Sequence, residues 1–120
     1  MATRGIRGAT LLERDDADEM AQAVAELLAD MMGRNDIEPA DLISIVFTAT
    51  SDIHSGFPAA AARAVGLVDV PLLCAQEIDV VGAIPRAIRI LMHAESSLPR
   101  GQIEHVYLRG AEVLRPDIAS

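Results

Sequence analysis

One segment near the N-terminus constrains the fold strongly, because its apolar residues follow the period of an α-helix. Across residues 16–33 the large apolar side chains form a single stripe, made by Met20, Val24, Leu27, Leu28 and Met31. Asp15 or Asp16 can cap the start of this segment, and Glu19 follows Asp16 at the spacing of a capping box. Gly33 is suitably placed to end it. We therefore predict a helix that packs one face against another layer.

The segments on either side of this helix have the pattern of β-strands. Residues 2–12 alternate small and large side chains, so that Ile6 and Arg7 point to opposite faces. Residues 42–50 are apolar and rich in β-branched side chains, which is typical of a buried strand. Further along, residues 88–95 form another candidate strand, with Arg89, Leu91 and His93 on one face.

The remaining segments complete a β-α-β-α-β-β-β order with short connections. Pro58 is suited to the first turn of a second helix over residues 58–66, which Gly66 closes. Gly82 and Pro85 favour a loop between residues 76 and 86. The shorter predicted elements are a helical turn at 39–41, strands at 71–74 and 105–109, and a short helix at 99–104.

This order predicts a single α+β domain over residues 1–120, with a mixed sheet covered by one long and one shorter helix. The long helix is expected on one face of the sheet. Because the other face is also apolar and needs cover, we expect the chain to associate with itself.

The distribution of charge excludes one large class of function. The net charge is −8, and residues 13–41 alone carry ten acids and two arginines. Most of this acidity belongs to the exposed face of the predicted long helix. No basic stripe of the kind that binds nucleic acid is present. All ten basic residues are arginines, so any permanent side-chain cation in an anion site must be a guanidinium group.

Several further classes of site have no support in the sequence. The single cysteine, Cys74, allows no internal disulfide, which suits a reducing compartment. Neither metal-ligand spacing nor a phosphate-binding glycine loop is found. No signal peptide is visible, and no apolar run reaches the roughly 20 residues that span a bilayer. We therefore expect a cytoplasmic protein that binds no metal, membrane or nucleic acid.

The candidate functional residues are arginines in unusual places. Arg7 and Arg89 lie in the middle of predicted strands, where arginine is uncommon unless an edge, a partner or an anion requires it. Arg63 lies on the second predicted helix, Arg115 in the tail, and Glu77 just beyond the strand that contains Cys74. On composition alone, structural salt bridges explain these residues at least as well as a binding site does.

Taken together, the motifs resemble those of the small monofunctional chorismate mutases of the Bacillus type, the AroH class. The likeness runs nearly from end to end of the chain. The segments that carry it are R-G-I-R-G-A-T at 4–10, T-A-T-S-D-I-H at 48–54 followed by F-P-A at 57–59, V-P-L-L-C-A-Q-E at 70–77, R-A-I-R at 86–89, H-V-Y-L at 105–108 and V-L-R-P-D at 113–117.

This resemblance implies an isomerase that converts chorismate to prephenate by a Claisen-type [3,3] rearrangement without a cofactor. It also implies a homotrimer, built around a pseudo-barrel of sheets, with active sites at the subunit interfaces. By resemblance, Arg7 and Tyr107 contact a carboxylate, and Arg89 lies beside the ether oxygen. Glu77 and Cys74 meet the ring hydroxyl and the ring. The residues that line or cap the pocket are then Phe57, Ala59, Arg63, Leu73, Cys74, Ala75, Gln76, Leu114 and Arg115.

The sequence departs from the family pattern at one position, where Ala60 replaces a lysine that some members carry. The tail beyond Arg115 is also short, which predicts weaker capping of the pocket. Two other functions stay open at this point. One is a trimeric module that binds a small carboxylate without converting it. The other is a structural oligomer whose arginines form interface salt bridges.

Overall fold

The computed structural model describes residues 1–117 and contains a five-stranded sheet with two α-helices. The helices are α1 (Ala17–Arg34) and α2 (Pro58–Ala64). The strands are β1 (Ala2–Leu11), β2 (Leu42–Ala49), β3 (Leu72–Gln76), β4 (Ala87–Ser96) and β5 (Val106–Tyr107). Short 3-10 helices span Pro39–Asp41, Arg100–Gln102 and Ala111–Leu114. The predicted element order and the α+β class with a mixed sheet are confirmed.

The strands lie in the order β3-β2-β4-β1-β5. β4 pairs antiparallel with both β1 and β2, whereas β1–β5 and β2–β3 are parallel pairs. The long β1 and β4 therefore form the centre of the sheet together with β2. The predicted last strand at 105–109 is shorter than expected, because only Val106 and Tyr107 pair with β1.

Helix α1 begins as its sequence predicts but ends later. The Asp16 carboxylate accepts a hydrogen bond from the backbone N–H of Glu19, and so caps the first turn. The Glu19 side chain bonds instead to the backbone of residues 13 and 14, so the expected reciprocal capping box is only half formed. The prediction that Gly33 stops the helix is wrong: the helix runs through Gly33, and Asn35 caps it.

The hydrophobic core lies between α1 and one face of the sheet. All five residues of the predicted apolar stripe on α1 are buried, as are Ile6, Phe47 and Met92 on the facing strands. Gly8 on β1 permits this close packing, since a Cβ atom there would lie 2.3 Å from the Met31 sulfur. Helix α2 contributes mainly alanine side chains to the same core.

The opposite face of the sheet carries partly exposed apolar residues. Leu91 on β4 retains 40% of its surface exposure, and Leu73 on β3 retains 63%. The predicted apolar outer face is therefore present on the isolated chain. No helix within residues 1–117 is both long and apolar enough to cross a membrane.

Candidate active site

A row of paired residues crosses the outer face of the sheet and brings distant parts of the sequence together. From β5 to β3, the row runs Tyr107, Ala9, Arg89, Thr48 and Ala75, each residue paired with the next. Residues paired across adjacent strands share a face of the sheet. Arg89 therefore lies at the centre of this face.

Three arginines converge on a cavity over this row. The cavity has a volume of about 340 Å³, and we call it the arginine cavity. It is lined by Arg7, Arg89 and Arg115, together with Thr48, Leu91 and Tyr107 among others. Arg7 reaches it because it lies two residues before Ala9 on β1 and pairs with Leu91. The mixture of guanidinium and apolar surface suits a small, partly apolar anion.

Arg89 is held in place by the carboxylate of Glu77, the residue that directly follows β3. Its Nε forms an ion pair with Oε2 of Glu77 at an N–O distance of 3.1 Å, with 46% of the Arg89 side chain and 17% of the Glu77 side chain exposed. The Thr48 hydroxyl donates to the same Oε2 at 2.7 Å. Glu77 follows β3 directly, and its backbone N–H continues the ladder by bonding to the carbonyl of Ala49.

The other two arginines of the cavity are fixed in different ways. The guanidinium of Arg115 forms two bonds to the Asp117 carboxylate, at 3.0 and 2.9 Å. This hydrogen bonding raises the pKa of Arg115 further. Arg7 is held through its backbone, whose N–H donates to Nδ1 of His105 at 3.0 Å. Nδ1 accepts this bond only when it carries no proton, so the ring proton of neutral His105 lies on Nε2.

The surroundings of His105 keep its ring neutral. Burial lowers its pKa below the usual 6.5, and the positive charges of Arg7 and Arg115 lower it further. His105 also lines a neighbouring cavity of about 390 Å³ with Arg4, Arg7 and Arg100. The group that positions Arg7 therefore lies among guanidinium groups, which oppose its protonation.

A separate cavity collects a second group of the predicted residues. It has a volume of about 210 Å³ and is lined in part by Phe57, Cys74, Ala75 and Gln76. We call it the Phe57 cavity. Phe57 precedes α2 and remains 71% exposed. In one chain, these four residues do not line the arginine cavity.

The other predicted residues that line or cap the pocket line neither of these two cavities in the single chain. Arg63 is exposed in the last turn of α2, and Leu73 lies exposed on β3. Ala59 is buried in the main core, and Leu114 packs against the small cluster that contains Tyr107. Among the described residues, 1–117, no group of three or more histidine, cysteine or acidic side chains could hold a metal ion.

Comparison with known proteins places this geometry in a family. The model of the family described as chorismate mutase type I matches residues 3–118. The chain belongs to the type I chorismate mutase family. It is 42% identical to chorismate mutase AroH of Bacillus subtilis (strain 168) over 120 residues, 99% of this chain and 94% of that protein. It is 46% identical to chorismate mutase AroH of Thermus thermophilus over 118 residues, 98% and 97% of the two chains.

A solved structure agrees with this assignment. The fold matches that of a chorismate mutase from Clostridium thermocellum with a TM-score of 0.89 and 43% identity, over 91% of this chain and 97% of that one. The predicted family, and with it an isomerase activity, is therefore confirmed.

Two side chains near the arginines of this chorismate mutase were missed by the sequence reasoning. Thr48 begins the T-A-T-S-D-I-H segment and is one of two hydroxyl-bearing residues, with Ser44, in strand β2. His105 begins the H-V-Y-L segment, but its contact with the backbone of Arg7 could not be predicted, because the two residues lie 98 positions apart.

Proposed function

We propose that this chorismate mutase converts chorismate to prephenate in the arginine cavity, with Arg89 as the principal catalytic residue. The observation that carries the proposal is the convergence of Arg7, Arg89, Arg115 and Tyr107 on one cavity in a chain of this family. The guanidinium groups lining the cavity outnumber the two carboxylates paired with them, Glu77 and Asp117. A doubly charged carboxylate substrate is therefore attracted to it.

The reaction requires little from a protein beyond position and charge. In a [3,3] rearrangement the ether C–O bond breaks as a new C–C bond forms within the same molecule, so no nucleophile or external proton acceptor takes part. Holding the flexible substrate in a compact, chair-like geometry removes an entropic barrier. We assign this restraint to Arg7, with Tyr107 contacting a carboxylate and Arg115 closing the cavity from the tail side.

Arg89 meets the second requirement, which is the negative charge that develops on the ether oxygen as its bond breaks. A guanidinium group is permanently charged and presents its donors in a rigid plane. The ion pair with Glu77 is formed at Nε of Arg89, and we assign the Nη groups of Arg89 to the substrate. We assign Glu77 the hydroxyl group of the substrate as a hydrogen-bond acceptor, and no role as a general base.

If the enzyme is a trimer, the Phe57 cavity can form part of an active site shared between two subunits. We propose that the outer faces of three sheets pack into a pseudo-barrel, and that the Phe57 cavity of one subunit faces the arginine cavity of its neighbour. The exposed Leu73 and Leu91 support this packing, because apolar surface of this kind gains stability when covered. Cys74 would then meet the substrate ring, with Phe57, Arg63, Leu73, Ala75, Gln76 and Leu114 lining or capping the shared site. Ala59 is buried in the core of its own chain, so we leave it out of this lining.

The same proposal includes where the enzyme works and how it is organised. We infer that residues 1–120 act as a single chorismate mutase domain in the cytoplasm, where a lone cysteine such as Cys74 stays reduced. In that compartment the enzyme would supply prephenate for phenylalanine and tyrosine synthesis.

The decisive experiment follows the loss of chorismate absorbance with the purified chain and with an Arg89→Lys variant. We expect rapid turnover by the wild type. In the variant we expect kcat to fall by about 10²–10³, as when one oxyanion-stabilising donor is lost. Lysine keeps the charge but lacks the planar fork of donors.

The matched control is Arg34→Lys, since Arg34 is a helix-surface arginine that pairs with Asp30 four residues away. Its turnover should equal that of the wild type. Near-normal kcat in Arg89→Lys would refute the catalytic role of Arg89. Tight binding of chorismate by the wild type without turnover would refute the assignment of the reaction to this chain.

A further inference from the structure

The carboxylate of Glu77 is held by two groups, of which only one is an arginine. Thr48 Oγ1 donates a hydrogen bond to Oε2 of Glu77 at 2.7 Å, and Arg89 Nε forms an ion pair with the same oxygen at 3.1 Å. Both contacts end on Oε2, so together they fix the position of that oxygen. The shorter contact comes from Thr48.

The sheet makes Thr48 a rigid donor at this point. It pairs directly with Arg89 on β4 and with Ala75 on β3, so it lies between the arginine and the strand that leads to Glu77. Threonine is branched at Cβ, which restricts its χ1 angle in a strand. Its hydroxyl group therefore cannot swing away from Oε2 at low energetic cost.

Without this hydroxyl group, the pairing between the Glu77 carboxylate and the Arg89 guanidinium group would change. A carboxylate and a guanidinium group pair most strongly through two parallel hydrogen bonds. Such a pair would engage an Nη group of Arg89 as well as Nε. The Thr48 bond opposes this by occupying Oε2 and holding the carboxylate in its present orientation.

We propose that Thr48 is a positioning residue, which keeps the Glu77 carboxylate against Nε of Arg89 and so leaves the Nη groups of Arg89 to the substrate. Thr48 lines the arginine cavity, but it acts on the reaction through Glu77. This inference rests on the roles proposed above for Glu77 and Arg89, and adds a third residue to them.

The test compares Thr48→Val, which keeps the shape of the side chain, with Thr48→Ser, which keeps the hydroxyl group. We expect Thr48→Val to lower kcat by about tenfold or more, the effect of losing a hydrogen bond to a charged group, with a smaller change in KM. Thr48→Ser should recover most of the lost kcat. Because a loss of folded protein also lowers the apparent kcat without changing KM, each kcat is divided by the folded fraction measured by circular dichroism.

A double-mutant cycle with Glu77→Ala separates action through Glu77 from any other effect. If Thr48 acts through the carboxylate, Thr48→Val should have no further effect on kcat once Glu77 is alanine. The control is Thr3→Val, because Thr3 also donates to a glutamate, Glu95, at 2.8 Å, on a part of the sheet that does not line the arginine cavity. Its kcat should match that of the wild type.

Three results would overturn the proposal. They are an unchanged kcat in Thr48→Val, an equal loss in the presence and absence of Glu77, or no recovery in Thr48→Ser. Each of these, with a wild-type chain that turns over chorismate, refutes the role of Thr48 alone. A wild-type chain without turnover refutes the proposed function as well.

Discussion

The backbone N–H of Arg7 is bonded to a histidine ring, and this contact makes the fold sensitive to pH. The bond to Nδ1 of His105 exists only while that nitrogen carries no proton. Burial, followed by the charges of Arg7 and Arg115, lowers the pKa of His105 below 6.5 in the folded state. The stabilising contribution is therefore complete above about pH 6.5 and is lost as the pH falls through the lowered pKa.

We predict that the free energy of unfolding, measured with urea, decreases as the pH is lowered below about 6.5. In a His105→Gln variant this decrease should be smaller, because the amide oxygen accepts the same bond without titrating. The acids with lowered pKa values, such as Asp52, titrate from an ordinary value of 3.8 and act at lower pH. Identical pH profiles for the two proteins would contradict the role assigned to His105.

The same neutral ring has a consequence for activity. Since His105 is uncharged near pH 7 and the proposed reaction transfers no proton, we expect kcat/KM to be nearly constant from about pH 7 upward. A bell-shaped profile centred near neutrality would indicate acid–base chemistry and contradict the mechanism.

At the scale of elements, one buried side chain joins the end of α1 to the segment before β5. Asn35 is 1% exposed, and its Nδ2 donates to the carbonyl groups of Met31 and Glu104, both at 2.8 Å. Its Oδ1 accepts from the backbone N–H of Glu104 at 2.7 Å. The side chain therefore satisfies backbone groups that would otherwise be left without partners in the interior.

We predict that Asn35→Ala lowers the free energy of unfolding by about 2–4 kcal/mol, because it leaves several buried backbone groups unsatisfied. Gln22→Ala is the control, since Gln22 is an exposed amide on the same helix. Its effect should stay within about 0.5 kcal/mol. Equal stabilities for the two variants, measured by urea denaturation, would show that Asn35 does not secure this junction.

The contact between β1 and α1 depends on the absence of a side chain at Gly8. A Cβ atom there would lie 2.3 Å from the Met31 sulfur and 3.2 Å from a Leu27 methyl group. We predict that Gly8→Ala destabilises the fold by about 1–3 kcal/mol through overpacking. In the double variant of Gly8→Ala with Met31→Ala, the total loss of stability should be smaller than the sum of the losses in the two single variants.

The matched control for this position is Gly33→Ala. Gly33 lies inside α1, and an added Cβ would meet no atom within 4 Å. Because alanine is the better helix former, the substitution should stabilise the protein by about 0.5–1 kcal/mol. Opposite signs for the two glycine substitutions are the expected result, and thermal denaturation measures both.

At the scale of the whole molecule, the separation of the two cavities leads to a test of shared active sites. Arg89 lies in the arginine cavity, whereas Arg63 lies on α2, the helix whose first residue, Pro58, lines the Phe57 cavity. We predict that Arg89→Ala and Arg63→Ala each impair turnover alone. In co-refolded mixtures, about a quarter of the sites should contain both arginines if neighbouring subunits share each site. Turnover should then exceed that of either variant.

Recovery in the mixture, together with a trimeric mass by light scattering, would support the proposed assembly. A mixture no more active than its components would mean that each site is formed within one chain. The control is each variant alone, taken through the same refolding.

Much of the local structure follows from residue patterns alone. The stripe on α1, the strand faces of Arg7 and Arg89 and the order of elements were predictable because side-chain periodicity is a property of neighbouring residues. The ends of helices were less predictable. Gly33 was expected to end α1, but the buried hydrogen bonds of Asn35 to residue 104 favoured a longer helix.

The site depends on contacts that local patterns do not contain. The alternation of β1 and β4 indicates that Arg7 and Arg89 are each in a strand, but it does not indicate that these strands are neighbours. Strand order and register arise from competition among all strands for hydrogen bonds and burial, over separations such as the 98 residues between Arg7 and His105. The sequence by itself determined the elements and the family of this protein. Only the tertiary structure decided that Thr48, Glu77 and Arg89 meet, because their contact requires β2, β3 and β4 to lie side by side in one register.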